Sequence, residues 1–122
     1  MNRVLLVEDD ETTNFISKII LKSAGFLNVE EALNGMEACR HLEKDCPDLI
    51  FLDINMPVMD GWEFLDEKKV SAPCKDAKIA ILTSSTHPED QKRAENYPCV
   101  IAYLEKPLTN EKVEGLKQKL AG

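Results

Sequence analysis

Short uninterrupted apolar runs alternate with longer stretches of helical periodicity along the whole chain. Arg3 to Val7 reads as a buried strand, and Thr12 to Ala24 carries Phe15, Ile16, Ile19, Ile20 and Ala24 at helical spacing until Gly25 stops it. Val29 to Ala32 gives a weak second strand, Asn34-Gly35 punctuates it, and a helix follows from Met36 to Lys44. Pro47 ends that helical phase before a third strand within Asp48 to Asp53, apolar until its last residue. A turn-rich segment from Ile54 to Gly61 leads to a helix over Trp62 to Lys69, then a fourth strand over Lys78 to Thr83 and a shorter helix over Glu89 to Asn96. Val100 to Leu104 is the fifth strand, and Asn110 to Leu120 the last helix, with Val113, Leu116 and Leu120 on one face and Thr109 or Asn110 as its cap. The pattern is (βα)5.

Continuous apolar strands separated by helices imply an α/β fold, a doubly wound parallel sheet covered on both faces by right-handed crossovers. In such sheets ligands bind beyond the carboxyl ends of the strands. Those ends carry Glu8-Asp9-Asp10, Asp53, Thr83-Ser84 and Glu105-Lys106-Pro107, so they should converge on one rim. Gathered carboxylates repel one another, so either their pKa values rise or a cation sits between them. Hard carboxylate oxygens select Mg2+ or a similar ion, which typically uses one or two carboxylates plus a phosphate. Lys106 and Thr83 could neutralise and hydrogen-bond phosphoryl oxygens, and Asp53, alone at the end of the central strand, is the candidate nucleophile for an aspartyl-phosphate. Asp10 is read as a helix cap, and Asp60-Gly61 as a turn and helix start; Met56, Pro57 and Met59 shape the loop without chemistry.

These segments, in this order, resemble a response-regulator receiver domain of two-component signalling over essentially the whole chain. Val7-Glu8-Asp9-Asp10 is similar to the family's acidic pair after the first strand, with Glu8 and Asp9 in the paired positions. Leu52-Asp53-Ile54-Asn55-Met56-Pro57-Val58-Met59-Asp60-Gly61 matches its phosphorylation segment, Ile81-Leu82-Thr83-Ser84 its switch hydroxyl, and Tyr103-Leu104-Glu105-Lys106-Pro107 its aromatic and lysine segment. The resemblance implies a flavodoxin-like sheet in the order 2-1-3-4-5 and phosphorylation of Asp53 by a phosphohistidine on a histidine kinase or histidine phosphotransfer protein. It implies Mg2+ bound by Asp9, Asp53 and the Asn55 carbonyl, with Glu8 contributing through water. Thr83 and Lys106 would hold the phosphoryl group, and Tyr103 would swing inward as a switch, although a strand aromatic is as readily core. A cis Lys106-Pro107 peptide, output through a downstream protein target, and a monomer or weak phosphorylation-dependent dimer also follow. The Tyr97-Pro98-Cys99-Val100 segment departs from the family's Gly-Ala step, which predicts a different turn leaving the fourth helix.

Composition narrows the reading. A length of 122 residues suits one domain, and the last expected helix ending near Leu120 leaves residues 1–122 as a receiver with no output domain. A net charge of −7 argues against nucleic acid and anionic membrane surfaces as partners. Apolar runs of four residues are far short of the ~20 a membrane span requires, and the start is no signal peptide, so the expected location is cytoplasmic. Cys39, Cys46, Cys74 and Cys99 form no C-x-x-C pair and are expected as scattered reduced thiols. Trp62 is expected to pack on the third helix, and His41 and His87 to be solvated rather than zinc ligands.

Three alternatives stand beside the phosphorylated receiver. A receiver-like binding module acting without phosphorylation is disfavoured by the intact Asp53, Thr83 and Lys106 set. A hydrolase similar to aspartate-nucleophile phosphatases would place its nucleophile after the first strand, so turnover of exogenous substrate is not expected; the chain would catalyse only its own phosphoryl transfer and autodephosphorylation. A flavin-binding relative would need a hydroxyl- and glycine-rich first turn, which here is acidic.

Overall fold

In a computed structural model, residues 3–71, 74 and 76–121 are described. The ten elements are β1 (Arg3–Val7), α1 (Glu11–Ser23), β2 (Asn28–Ala32), α2 (Gly35–Lys44), β3 (Leu49–Leu52), α3 (Gly61–Ser71), β4 (Lys78–Thr83), α4 (Pro88–Ala94), β5 (Val100–Glu105) and α5 (Asn110–Ala121). The strands form one parallel sheet in the order β2-β1-β3-β4-β5. Four of the five helices start where a polar side chain takes up free amide groups, and α4 instead opens on Pro88, which has no N–H to satisfy. Asp10 accepts from Thr12 N at 3.0 Å, Asn34 from Glu37 N at 2.9 Å, and Thr109 from Lys112 N at 3.3 Å. Asp60 and Glu63 exchange reciprocal bonds as a capping box.

Side chains alternate along each strand, so the sheet builds two cores. Leu5, Val7, Ile50, Leu52, Ile79 and Ile81 pack with Ala38, Leu42, Phe64 and Leu65 beneath α2, α3 and α4. Val4, Leu6, Leu49, Phe51, Ala80 and Leu82 pack with Leu21, Val113 and Leu116 beneath α1 and α5. Trp62, expected to pack on the third helix, lies within α3 and is buried against the end of α4 instead, stacked on Tyr97 with ring centroids 5.9 Å apart and with the Arg93 guanidinium 4.5 Å over its ring.

Two expectations are corrected. The apolar spacing in α1 marks its buried face only in part: Asn14, Ser17 and Leu21 are buried and Ile20 and Ala24 pack against the core, while Phe15, Ile16 and Ile19 are 66%, 47% and 54% exposed. The three-residue connection from β1 and the Asp10 cap set the rotation of the helix, and that phase overrides the hydrophobic stripe. Cys46 and Cys74 are not reduced thiols but a disulfide, their Cα atoms 5.5 Å apart. The loops entering β3 and β4 lie side by side at the amino end of the sheet, and a separation of 28 residues gives no local spacing that would announce the pair. Cys39 and Cys99 are free.

The turn after α4 closes through Tyr97 N to Ala94 O and Val100 N to Tyr97 O. Cys99 does so without positive φ, which among the described residues occurs at Gly25 and at Val58.

Candidate functional site

Ladder hydrogen bonds continue past the strand ends and fix the residues that follow. Glu8 N donates to Ala32 O at 2.9 Å, Asp53 N to Val7 O at 3.0 Å, and Lys106 N to Thr83 O at 2.9 Å. Because Val7 pairs with Leu52, Glu8 and Asp53 leave adjacent strands at the same level. The β4/β5 pairing carries an irregularity between Ile79 and Ala80: Ile79 faces Val100, but Ala80 faces Ala102. A strand slip of one residue reverses which face a side chain meets. The extra residue, Ile101, therefore brings Glu105 level with Thr83 and delivers Lys106 to the rim.

There the Lys106 ammonium lies 2.5 Å from Glu8 Oε1 and 3.0 Å from Asp53 Oδ2. Glu8 and Asp53 are buried and Asp9 is exposed, with oxygens of the three carboxylates all within 4.8 Å of one another. Burial pushes the Glu8 carboxyl up to about 7; the Lys106 hydrogen bond pulls against it, while the charge of Asp53 adds to the rise. Burial also acts to lower Lys106, but its bonds to Glu8 and Asp53 prevail and raise it. One ammonium shared between two carboxylates thus stays charged without offsetting the desolvation of Glu8. Such a cluster of hard oxygens fits a small divalent cation such as Mg2+.

The β3–α3 loop holds Asp53 in place. Asn55 N donates to Asp53 Oδ1 at 3.1 Å, an Asx turn. Gly61 lies directly against Asp53 and Ile54, and Gly35 N donates to Met59 O at 3.0 Å. Thr83 is fully buried and its hydroxyl accepts from Ser85 N at 3.2 Å. The Tyr103 hydroxyl donates to the Ser85 carbonyl at 3.2 Å, and burial raises its pKa.

The expected residues Glu8, Asp9, Asp53 and Lys106 are therefore brought together, with Asn55 in the adjoining turn and Thr83 at the end of the neighbouring strand. The Lys106-Pro107 peptide is cis.

Sequence reasoning missed three contributors. Ser85 links Thr83, Tyr103 and, through its own hydroxyl at 2.6 Å, Asp90. Lys112 donates to the carbonyls of Glu105 and Pro107 and ties down the segment carrying Lys106. None of these shows a local motif; the Ser85–Asp90 spacing could have been read as a turn preceding α4.

The sequence model described as the response regulator receiver domain matches residues 4–117. The chain belongs to the response regulator receiver family. Receivers are the signal-accepting domains of two-component systems, which interact with histidine kinases or phosphotransfer proteins and with downstream targets, and which bind Mg2+ at an acidic pocket. This receiver is 33% identical over 117 residues to the probable transcriptional regulator ycf29 of Porphyra purpurea, covering 96% of this chain and 55% of that protein. A two-component response regulator from Cytophaga hutchinsonii superposes with a TM-score of 0.90 at 30% identity, covering 99% of this chain and 97% of that one. The response regulator TrrA from Thermotoga maritima, solved in complex with Mg2+ and BeF, superposes with a TM-score of 0.82 at 29% identity, covering 98% and 99%. The chain thus spans about half the length of the Porphyra relative. No helix among the described residues is long and apolar enough to cross a membrane.

Proposed function

We propose that this receiver accepts a phosphoryl group on Asp53 from the phosphohistidine of a histidine kinase or histidine phosphotransfer protein, in a Mg2+-dependent reaction, and signals through altered contacts with a downstream protein. One observation carries the reading above the rest: a buried carboxylate, Asp53, stands 3.0 Å from the Lys106 ammonium beside two further carboxylates.

In the reaction an Asp53 oxygen attacks phosphorus, the O–P bond forms, and the P–N bond breaks; the imidazole, already protonated on its other ring nitrogen, leaves in its neutral form. Asp9, Asp53 and the Asn55 carbonyl would hold Mg2+, with Glu8 contributing through water. Bound there, Mg2+ would screen the charges of Asp53 and the incoming phosphoryl oxygens. Lys106 exchanges part of its contact with Glu8 and Asp53 for a phosphoryl oxygen, and the Thr83 hydroxyl takes another. Thr83 moving toward the phosphate pulls on Ser85, whose carbonyl binds Tyr103, so the tyrosine shifts with the β4–α4 loop. The chain works on its own aspartate, not on an exogenous substrate, and does so in the cytoplasm.

The outward stripe of Phe15, Ile16 and Ile19 on α1 supports a protein donor. Phe15 and Ile19 line a groove with Glu11, Lys18, Lys22 and Glu31, an apolar strip with a charged border. A phosphotransfer profile against purified phosphorylated histidine kinases and phosphotransfer domains tests the assignment. Phosphate should move to this chain from a cognate donor and not to an Asp53→Asn variant; transfer from no donor, or equal transfer to the variant, contradicts it.

A further inference from the structure

Asn14 lies on the inward face of α1 with 1% of its surface exposed, where an apolar residue would pack with no polar group to satisfy. Its Nδ2 donates to the Glu8 carbonyl at 3.0 Å. That orientation of the carboxamide is forced, because a carbonyl can only accept. The other end, Oδ1, is the one fully buried side-chain polar atom without a partner among the described residues. Leaving such an acceptor unpaired is destabilising, so the Nδ2 bond to Glu8 does not by itself explain why Oδ1 is buried here.

A cavity of about 10 Å³ adjoins it, between α1 and the rim, lined by Glu8, Thr13, Asn14, Ser17, Phe51 and Asp53 among others. This is the space one water needs, and the wall offers the several polar partners that a buried water requires. The amide therefore spans two things: the backbone from which Glu8, Asp9 and Asp10 project, and a small cavity whose lining includes Asp53.

We propose that Asn14 is a positioning residue of the acidic site, holding the turn after β1 through the Glu8 carbonyl and binding at Oδ1 one water that links it to the carboxylates. The inference rests on the phosphoacceptor reading and assigns it a support that the strand-end residues do not supply. Asn14 does not touch the transferred group. It fixes the direction in which the acidic turn presents its oxygens, as partners behind metal ligands generally do.

The test replaces the carboxamide by a hydrocarbon of nearly the same shape, Asn14→Leu. Mg2+ binding is measured by calorimetry and stability by thermal unfolding, each beside the unmodified chain. The unmodified chain should bind Mg2+; if it does not, the site reading fails on its own. The Asn14→Leu chain, which leaves the Glu8 carbonyl without this donor, should unfold at a lower temperature, and at a temperature where it is fully folded its Mg2+ affinity should fall about tenfold, the low end for residues that orient metal ligands. Unchanged Mg2+ affinity in the folded variant, with only its stability lowered, overturns the inference. Should that variant not fold, the unmodified chain still decides: the Asn14 side-chain amide resonances must shift on Mg2+ addition, and if they stay fixed while the Asp9 backbone amide moves, the proposal is wrong.

Discussion

Gly61→Ala is the sharpest test of how the fold holds Asp53. A Cβ built at Gly61 would stand 2.6 Å from Ile54 Cα and 2.7 Å from the Asp53 carbonyl oxygen, where carbon pairs normally sit at about 3.5–4.0 Å. Both obstacles are backbone, so no side-chain rotation relieves them. Asp53 cannot retreat, because its N–H is bonded to Val7 O in the middle of the sheet. The start of α3 cannot retreat either without lifting Trp62, Phe64 and Leu65 from the core, where they are 7%, 0% and 1% exposed. Overpacking of this kind costs roughly 1–3 kcal/mol, and two backbone clashes place it near the upper end, about 3 kcal/mol. Gly115→Ala is the matched control: its Cβ meets nothing within 4 Å on the exposed side of α5, so the helix gains about 1 kcal/mol. Urea unfolding of both variants, with slopes held in common, should separate them by about 4 kcal/mol with the unmodified chain between. Mg2+ binding should weaken only in Gly61→Ala. A Gly61→Ala midpoint at or above that of the unmodified chain would refute the claim that this backbone contact sets the position of Asp53.

Three further outcomes are expected. With Glu8 raised by burial to about 7, the folded state binds its proton more tightly than the unfolded chain does, so stability should fall as pH rises from about 4.5 to about 7. Over the same range Mg2+ affinity should rise and binding should release protons; calorimetry at pH 6 and 8 showing equal affinity would count against the shared-lysine account. Reduction of Cys46–Cys74, which closes 28 residues of chain, should lower stability by about 3 kcal/mol in urea melts run with and without dithiothreitol, and an unchanged midpoint would show that the bond constrains little. Phe15→Ala should slow phosphotransfer from a protein donor several-fold yet leave phosphorylation by a small acyl phosphate unaltered; equal slowing of both would show that the residue supports the fold and not a partner.

Much of this was legible in the sequence, for reasons that differ by residue. Asp53 stood out because Leu49 to Leu52 is buried on both faces, so the first polar residue after it must lie at the sheet's edge. Glu8 and Lys106 followed by the same logic. Burial and strand pairing dictate such positions locally, and all ten elements appear with ends displaced by no more than two residues.

What could not be read depends on how elements meet. The outward turn of Phe15 and Ile19 is set by the phase in which α1 leaves its cap, and an apolar stripe looks the same whether it faces a core or a partner. The shift at Ile101 changes no composition, yet it governs whether Lys106 arrives beside Asp53. The Cys46–Cys74 bond needs two loops brought side by side by the sheet, and it is the feature least in keeping with a reducing compartment. Positive φ falls on Val58, a β-branched residue that carries no sequence sign of it.

Intact mass after incubation with a small acyl phosphate tests the central claim most directly. With Mg2+ present the chain should gain the mass of one phosphoryl group, located on Asp53 by peptide mapping and lost on adding a chelator before the donor. No gain in mass with Mg2+, or the same gain in an Asp53→Asn variant, would contradict the account.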